Sequence, residues 1–157
     1  MSQNELFIND PAESEIFKKL NIYYGKISDG GDIDLLLSFY FLDRDNIPYD
    51  DFIIARLKSG KTVGVISNKE NEVHTIAVHP SYKNKGIGKI LLYLMTDKIK
   101  KNYPDKKIIF TKTTSPDFFL KCGFVSCKND FKKEFWNECR TCDKFDICTQ
   151  KVLIYKL

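Results

Sequence analysis

The chain has 157 residues, of which 43% are hydrophobic and 13% aromatic, a size and composition that predict one folded, soluble domain spanning residues 1–157 with a substantial core. Its formal net charge of +4 suits an anionic ligand but falls short of the clustered basicity of a dedicated nucleic-acid binder, so no nucleic-acid partner is expected. No apolar run approaches the ~20 residues that cross a bilayer, and Met1-Ser2-Gln3-Asn4-Glu5 lacks the basic and apolar segments of a signal peptide, which predicts a cytoplasmic protein with no membrane partner.

Taken in chain order, residues 11–25 place Ile16, Leu20 and Tyr23 or Tyr24 near helical spacing, and residues 32–42 put Ile33, Leu36, Leu37 and Tyr40 on one helical face after Gly30-Gly31. Phe52–Leu57 and Thr62–Ile66 are β-prone runs joined by Ser59-Gly60-Lys61, the pattern of a hairpin, and Glu72–Val78 follows as a third strand. From Gly86 onward Ile87, Ile90, Leu91, Leu94, Met95 and Ile99 recur at spacings of three and four until Tyr103-Pro104, which predicts the longest helix. Residues 107–111 read as a strand, 116–121 as a short helix ended by Gly123, and 152–155 as a last strand. A meander feeding a strand–helix–strand crossover predicts an α/β domain with a mixed, mostly antiparallel sheet and helices on its faces.

The segment richest in chemistry runs from Val73 to Leu92. A strand enters a loop with two glycines and then a long amphipathic helix, whose first turn leaves N–H groups unpaired at the positive end of the helix dipole. Such a turn receives phosphate oxygens, and glycine at positions 86 and 88 lets the backbone approach them closely. Lys83, Lys85 and Lys89 add charge. A tight structural turn is the competing reading. A Walker loop is excluded because Gly88-Lys89 is followed by Ile90 and the required earlier glycine falls at Lys83; a Rossmann fingerprint would need Gly or Ala where Leu91 stands.

The stretch Ile76-Ala77-Val78-His79-Pro80, followed by Lys83-x-x-Gly86-x-Gly88, resembles the acetyl-CoA-binding motif of the GCN5-related N-acetyltransferases (GNAT), hydrophobic-Ala-Val-x-Pro and then Gln/Arg-x-x-Gly-x-Gly/Ala. Lys83 departs from that pattern, keeping a donor but losing the planar fork of Arg. Downstream, Phe118-Phe119-Leu120-Lys121-Cys122-Gly123-Phe124 is similar to the family's Phe-Tyr-x-Lys-x-Gly-Phe segment. The resemblance, over about residues 52–125, implies a GNAT-like fold, acetyl-CoA as cosubstrate and an amine acceptor. It further implies that Ile76, Ala77 and Val78 bind the pantetheine arm, while Lys83, Asn84, Lys85, Gly86, Ile87, Gly88 and Lys89 hold the pyrophosphate. Direct attack of a neutral amine on the thioester would follow. The family's usual acid, the Tyr of the second segment, is replaced by Phe119.

Two further groups are candidates for moving the amine's proton. Glu72 holds the position of the general base in the histone-acetylating branch, and strand alternation puts His74 on the same face. An ordinary strand-end carboxylate and a half-buried structural histidine are the competing readings. Tyr23, Tyr24, Tyr40 and Tyr49 lie in the region that shapes acceptor pockets in the family, and any of them would replace the absent phenol.

A Cys-rich excursion at about residues 131–150 precedes the last strand. Its Cys139-x2-Cys142-x5-Cys148 spacing presents thiolates to zinc or an iron–sulfur cluster, with Cys127, Cys122 or a histidine as fourth ligand; free thiols are the alternative. A catalytically weak CoA-binding or metal-responsive regulatory module is therefore the second functional reading beside the acetyltransferase. Either would be a monomer or a homodimer. The lysines at 98, 100, 101, 106 and 107 are expected to form the solvated end of a helix.

Overall fold

A computed structural model describes residues 11–157, so the expectation for residues 1–5 lies outside the described part. Helix α1 spans Pro11–Lys18 and is followed at once by strand β1, Leu20–Tyr24. The expected single helix over 11–25 is thus corrected. Leu-Asn-Ile-Tyr-Tyr has the β-prone composition of a strand, and Leu20 to Tyr24 pair antiparallel with Leu57 to Ile53. The ladder of a neighbouring strand outweighs the loose helical spacing.

The next helix, α2, runs Gly30–Ser38, and strands β2 (Phe52–Leu57), β3 (Thr62–Lys69) and β4 (Glu72–Val78) form the expected meander. Gly60 closes the first hairpin at φ +107, the left-handed region that glycine enters without strain. Then come α3 (Ile87–Asn102), β5 (Ile108–Thr113), α4 (Asp117–Lys121), β6 (Val125–Ser126), α5 (Phe131–Phe135), α6 (Asn137–Arg140) and β7 (Lys151–Lys156). The seven strands make one sheet in the order β1-β2-β3-β4-β5-β7-β6. Every neighbouring pair is antiparallel except β4 and β5, which the crossover helix α3 makes parallel.

Strand alternation separates the core into two faces. Ile53, Ala55, Ile66, Ile109 and Leu153 pack under α1 and α3, through Ile16, Ile87, Ile90, Leu91, Met95 and Ile99. Phe52, Ile54, Val65 and Ala77 point the other way, onto Ile33, Leu36 and Leu37 of α2. A third, smaller cluster holds Trp136, Cys139 and Val152, with Phe110, Cys127, Phe135 and Phe145 against it. The excursion therefore carries its own apolar nucleus on β5 and β7.

Lys98 corrects a further expectation, because it is 9% exposed rather than solvated. Its Nζ donates to Asn68 Oδ1 at 2.8 Å and to the Asp51 carbonyl at 3.2 Å, tying α3 to the end of β3 and to the turn before β2. Burial pushes its amine below the ordinary lysine value.

Helix α3 comes close to the sheet at Gly64, where an added Cβ would stand 2.8 Å from Leu91 Cδ1 and 2.9 Å from Ile87 Cγ2. Leu91 is fully buried at that contact. Leu91→Ala is expected to lower stability by about 3 kcal/mol through the lost transfer energy and residual cavity, read as a reduced urea midpoint at unchanged m-value.

Candidate active site

The ladder between β4 and β5 is confined to Glu72 opposite Phe110. Past that rung the strands separate, with Thr111 Oγ1 donating to the Val73 carbonyl at 2.9 Å as a last link. The gap is continuous with a cleft of about 770 Å³ lined on one side by Val73–Val78 and on the other by Thr111–Ser115, Phe118, Phe119 and Cys122. That volume is in the range of small-molecule sites.

Where the cleft reaches α3, the chain is shaped by Asn84 at φ +61 and Gly86 at φ +91. Gly86 is the N-cap of α3, and no side chain caps the helix. The first-turn N–H groups thus face the cleft without the side-chain acceptor that usually meets them. Gly88 lies close to the far wall, since an added Cβ would sit 3.2 Å from Phe118 Cε1. Lys83, Asn84, Gly86, Ile87, Gly88 and Lys89 all line the cleft, while Lys85 is exposed and does not. A backbone cradle with adjacent lysines and without a side-chain cap fits a polyanionic phosphate group well.

Ile76, Ala77 and Val78 line the cleft beside this loop, Ala77 also packing into the α2 core. Tyr40 Oη donates a hydrogen bond to the Val78 carbonyl, and Lys83 Nζ lies 4.8 Å from the Tyr40 ring centroid. Of the four tyrosines named from the sequence, Tyr40 reaches the cleft. Tyr23 and Tyr49 instead donate to Asp29 and Asp34, at 3.3 and 2.8 Å, and Tyr24 is exposed. His79 is a turn residue, its Nδ1 accepting from the Ser81 N–H at 3.1 Å.

The structure joins the two proton-relay candidates. Glu72 is 7% exposed, and its Oε2 lies 3.2 Å from His74 Nδ1, while His74 itself lines the cleft. On the other ring nitrogen, Nε2 meets Asp45 Oδ2 at 2.8 Å. Asp45 sits in the loop after α2, at φ +52. Nothing in its sequence neighbourhood marks it, because it is 29 residues from His74. Glu72 above all, and Asp45 after it, raise the His74 pKa from its ordinary value, against the opposing effect of burial. At the second motif, Phe119 is 4% exposed and packs edge-on to Phe118 and Phe124 with centroids 5.2 Å away in each case. Core packing accounts for it, and it carries no proton.

The cysteines are not assembled as the spacing predicted. Cys139 is buried, Cys142 exposed, and Cys127 and Cys148 are half-buried, all as free thiols. Among the described residues no group of three or more His, Cys, Asp or Glu side chains is gathered as a metal requires. The expected zinc or iron–sulfur ligand set finds no support in this arrangement. The C-x2-C segment is drawn apart because Cys139 turns into the apolar nucleus around Trp136 while Cys142 faces solvent. No described helix is long and apolar enough to cross a membrane.

Comparison with known proteins agrees with this geometry. A family model described as an acetyltransferase (GNAT) domain matches residues 45–137, more than half of the chain. An uncharacterized N-acetyltransferase of Chlorobaculum tepidum is 25% identical over 113 residues, covering 68% of this chain and 71% of its own length. Among solved structures, the N-acetylglutamate synthase of Neisseria gonorrhoeae complexed with coenzyme A and N-acetyl-glutamate superposes with a TM-score of 0.69 at 18% identity. The match covers 88% of this chain and 35% of the synthase, so the chain spans about a third of that enzyme. A Mycobacterium tuberculosis protein in complex with CoA gives a TM-score of 0.68 at 17% identity, over 87% of this chain and 99% of its own. At these identities the likeness to the solved structures is one of fold.

The His74 cluster makes a pH prediction whose sign follows from linkage. A histidine pKa raised on folding contributes stability that is fully present below the unfolded value, near 6.5, and is lost as pH rises through the folded value. Glu72→Gln is expected to bring the His74 pKa, followed by NMR, back down, and to shrink the stability difference between acid and alkaline sides of that window in urea titrations.

Proposed function

This chain belongs to the GNAT acetyltransferase family, and on that membership we propose that it transfers an acetyl group from acetyl-CoA to a primary amine of a small molecule or a protein. The observation that carries the reading is the cleft that opens between β4 and β5 and runs to the uncapped first turn of α3. In this reading the N–H groups after Gly86 hold the pyrophosphate, Lys83 and Lys89 balance its charge, and the β4 backbone from Ile76 to Val78 binds the pantetheine arm. Lys85, exposed outside the cleft, adds only long-range attraction.

His74 is the proposed base, because it is the member of the Glu72–His74–Asp45 chain that lines the cleft. Glu72, behind it, is a positioning residue that orients the imidazole through Nδ1. With Nδ1 held by Glu72, neutral His74 takes a proton from the acceptor ammonium at Nε2, which requires the exposed Asp45 carboxylate to swing away from that nitrogen. The amine nitrogen then attacks the thioester carbonyl carbon. The C–N bond forms, the C–S bond breaks, and the electron pair leaves on sulfur as the CoA thiolate. The second amine proton ends on that thiolate, through solvent in the cleft rather than a tyrosine, since Phe119 stands at the family's acid position. His74 then releases its proton to solvent at the open side of the cleft, while Asp45, whose side chain is 53% exposed, stays ionised and balances the imidazolium charge.

Calorimetric titration with acetyl-CoA followed by turnover on a panel of amines tests the reading. Saturable binding is expected, and Gly86→Glu should abolish it by placing a bulky negative side chain in the phosphate cradle. Binding without turnover of any amine would favour the CoA-binding module instead; no binding by the unmodified protein would sink both. For the base, His74→Gln is expected to lower kcat about 100-fold with little change in the KM for acetyl-CoA. The unmodified enzyme's kcat/KM should fall as pH drops through the raised His74 pKa, and that limb should be missing in His74→Gln.

A further inference from the structure

The glycine loop of this chain departs from its family pattern at Lys83, and an aromatic ring stands against that departure. A lysine ammonium is a point charge on a flexible stem, so alone it fixes no direction, whereas Arg presents a rigid planar fork. Lys83 is exposed, yet its Nζ lies 4.8 Å from the centroid of the Tyr40 ring. That is within the ~6 Å over which a cation is attracted to an aromatic face. Tyr40 is half-buried, and both residues line the cleft.

Tyr40 is itself held at both ends. Its backbone N–H donates to the Leu37 carbonyl at 3.0 Å in the turn that closes α2, and its side chain packs on the Ile33–Leu37 core. At the far end its hydroxyl donates to the Val78 carbonyl. That carbonyl lies on the cleft edge of β4: the His79 N–H turns to the Val63 carbonyl of β3 at 2.8 Å, and strand geometry directs the Val78 carbonyl the other way. Beside it, Phe39 meets the His79 ring edge-on with centroids 5.2 Å apart. The end of α2 thus clasps the end of β4 through two adjacent residues, and the Tyr40 ring has a fixed place from which to hold the ammonium.

On the acetyl-CoA reading of the cleft, we propose that Tyr40 is a positioning residue for the cofactor. Its ring holds the Lys83 ammonium at the mouth of the phosphate cradle. Lys83 then starts from fewer rotamers, and less side-chain freedom is lost when the pyrophosphate binds. The Tyr40 hydroxyl has a separate task, because its proton is already donated to a backbone carbonyl. Tyr40 therefore orients a charge and does not replace the phenol that is absent at Phe119.

The test is a double-mutant cycle on the full chain, with the Kd for acetyl-CoA measured by calorimetry. Tyr40→Leu is expected to weaken binding about fivefold, and Tyr40→Phe, which keeps the ring, to stay within about twofold of the unmodified protein. In a Lys83→Met background Tyr40→Leu should cause little further loss, because the ring then has no cation to hold. Lys83→Arg, whose guanidinium also stacks on an aromatic face, should keep the sensitivity to Tyr40→Leu. An unchanged Kd in Tyr40→Leu overturns the proposal, as does an equal loss with and without Lys83, which would mark a purely structural role. So does a fall of about 100-fold in kcat in Tyr40→Phe at unchanged Kd, the signature of an acid. Should Tyr40→Leu fail to fold, Tyr40→pentafluorophenylalanine keeps the ring's shape but removes its attraction for a cation. Its affinity is expected to fall below that of Tyr40→Phe, and equal affinities overturn the proposal. No binding by the unmodified protein would sink the acetyl-CoA reading and this role together, whereas binding indifferent to position 40 removes this role alone.

Discussion

Two parallel strands that pair through a single rung and then part leave a row of backbone N–H and carbonyl groups facing a gap, and such groups are expensive when dry. The separation of β4 from β5 after Glu72 and Phe110 is therefore the constraint around which the other parts are arranged. On the β5 side the sheet continues through β7, which pairs from Ile108↔Lys156 to Thr113↔Lys151. On the β4 side the meander holds the other half of the sheet. Each half is held by its own antiparallel ladders, so the gap is left as a cleft, and β4 presents backbone there that a ligand's amides can engage.

Helix α3 brings the positive end of its dipole to that gap. Its start is set by the left-handed Gly86, and its distance from the sheet by Gly64 under Leu91 and Ile87. A larger residue at position 64 would lift the helix, and a side-chain cap would occupy the N–H groups that face the cleft. The N-terminus instead rests on fixed packing, with Ile87, Ile90 and Leu91 buried immediately behind it. Core burial thus holds an electropositive turn in place, where an anion can meet the N–H groups that no side chain of the protein caps.

What could be read in the sequence follows from whether the signal is local. The meander, α3 and the glycine loop are encoded by contiguous periodicity and turn chemistry, and each is found where its residues predict. Leu20–Tyr24 was misleading because five residues satisfy both a loose helical spacing and a strand pattern, and pairing with β2, far along the chain, decides between them. Lys98 departs from its local pattern for the same reason: its acceptors, Asn68 and the Asp51 carbonyl, come from other elements. His74 and Glu72 were visible as two positions on one strand face, but Asp45, which completes the chain of hydrogen bonds, was not. The cysteine spacing suggested a metal knuckle, and no local pattern shows that Cys139 turns inward to Trp136.

The excursion shows how an enzyme fold can carry an addition without disturbing its cleft. Trp136, Cys139 and Val152 form a separate nucleus, reached by Phe135 stacking at 4.5 Å on Phe110 of β5. Its stability draws on its own burial and on β5 and β7, the strands across the cleft from the β4 backbone. Contact with the cleft is limited to side chains such as Lys112, whose Nζ lies 3.4 Å from Glu138 Oε1 and 4.7 Å from the Trp136 ring centroid. A structure joined in this way can change its residues, or its chemistry, while β4 and α3 keep their geometry. The coupling between the two then passes through a few named side chains rather than through the sheet.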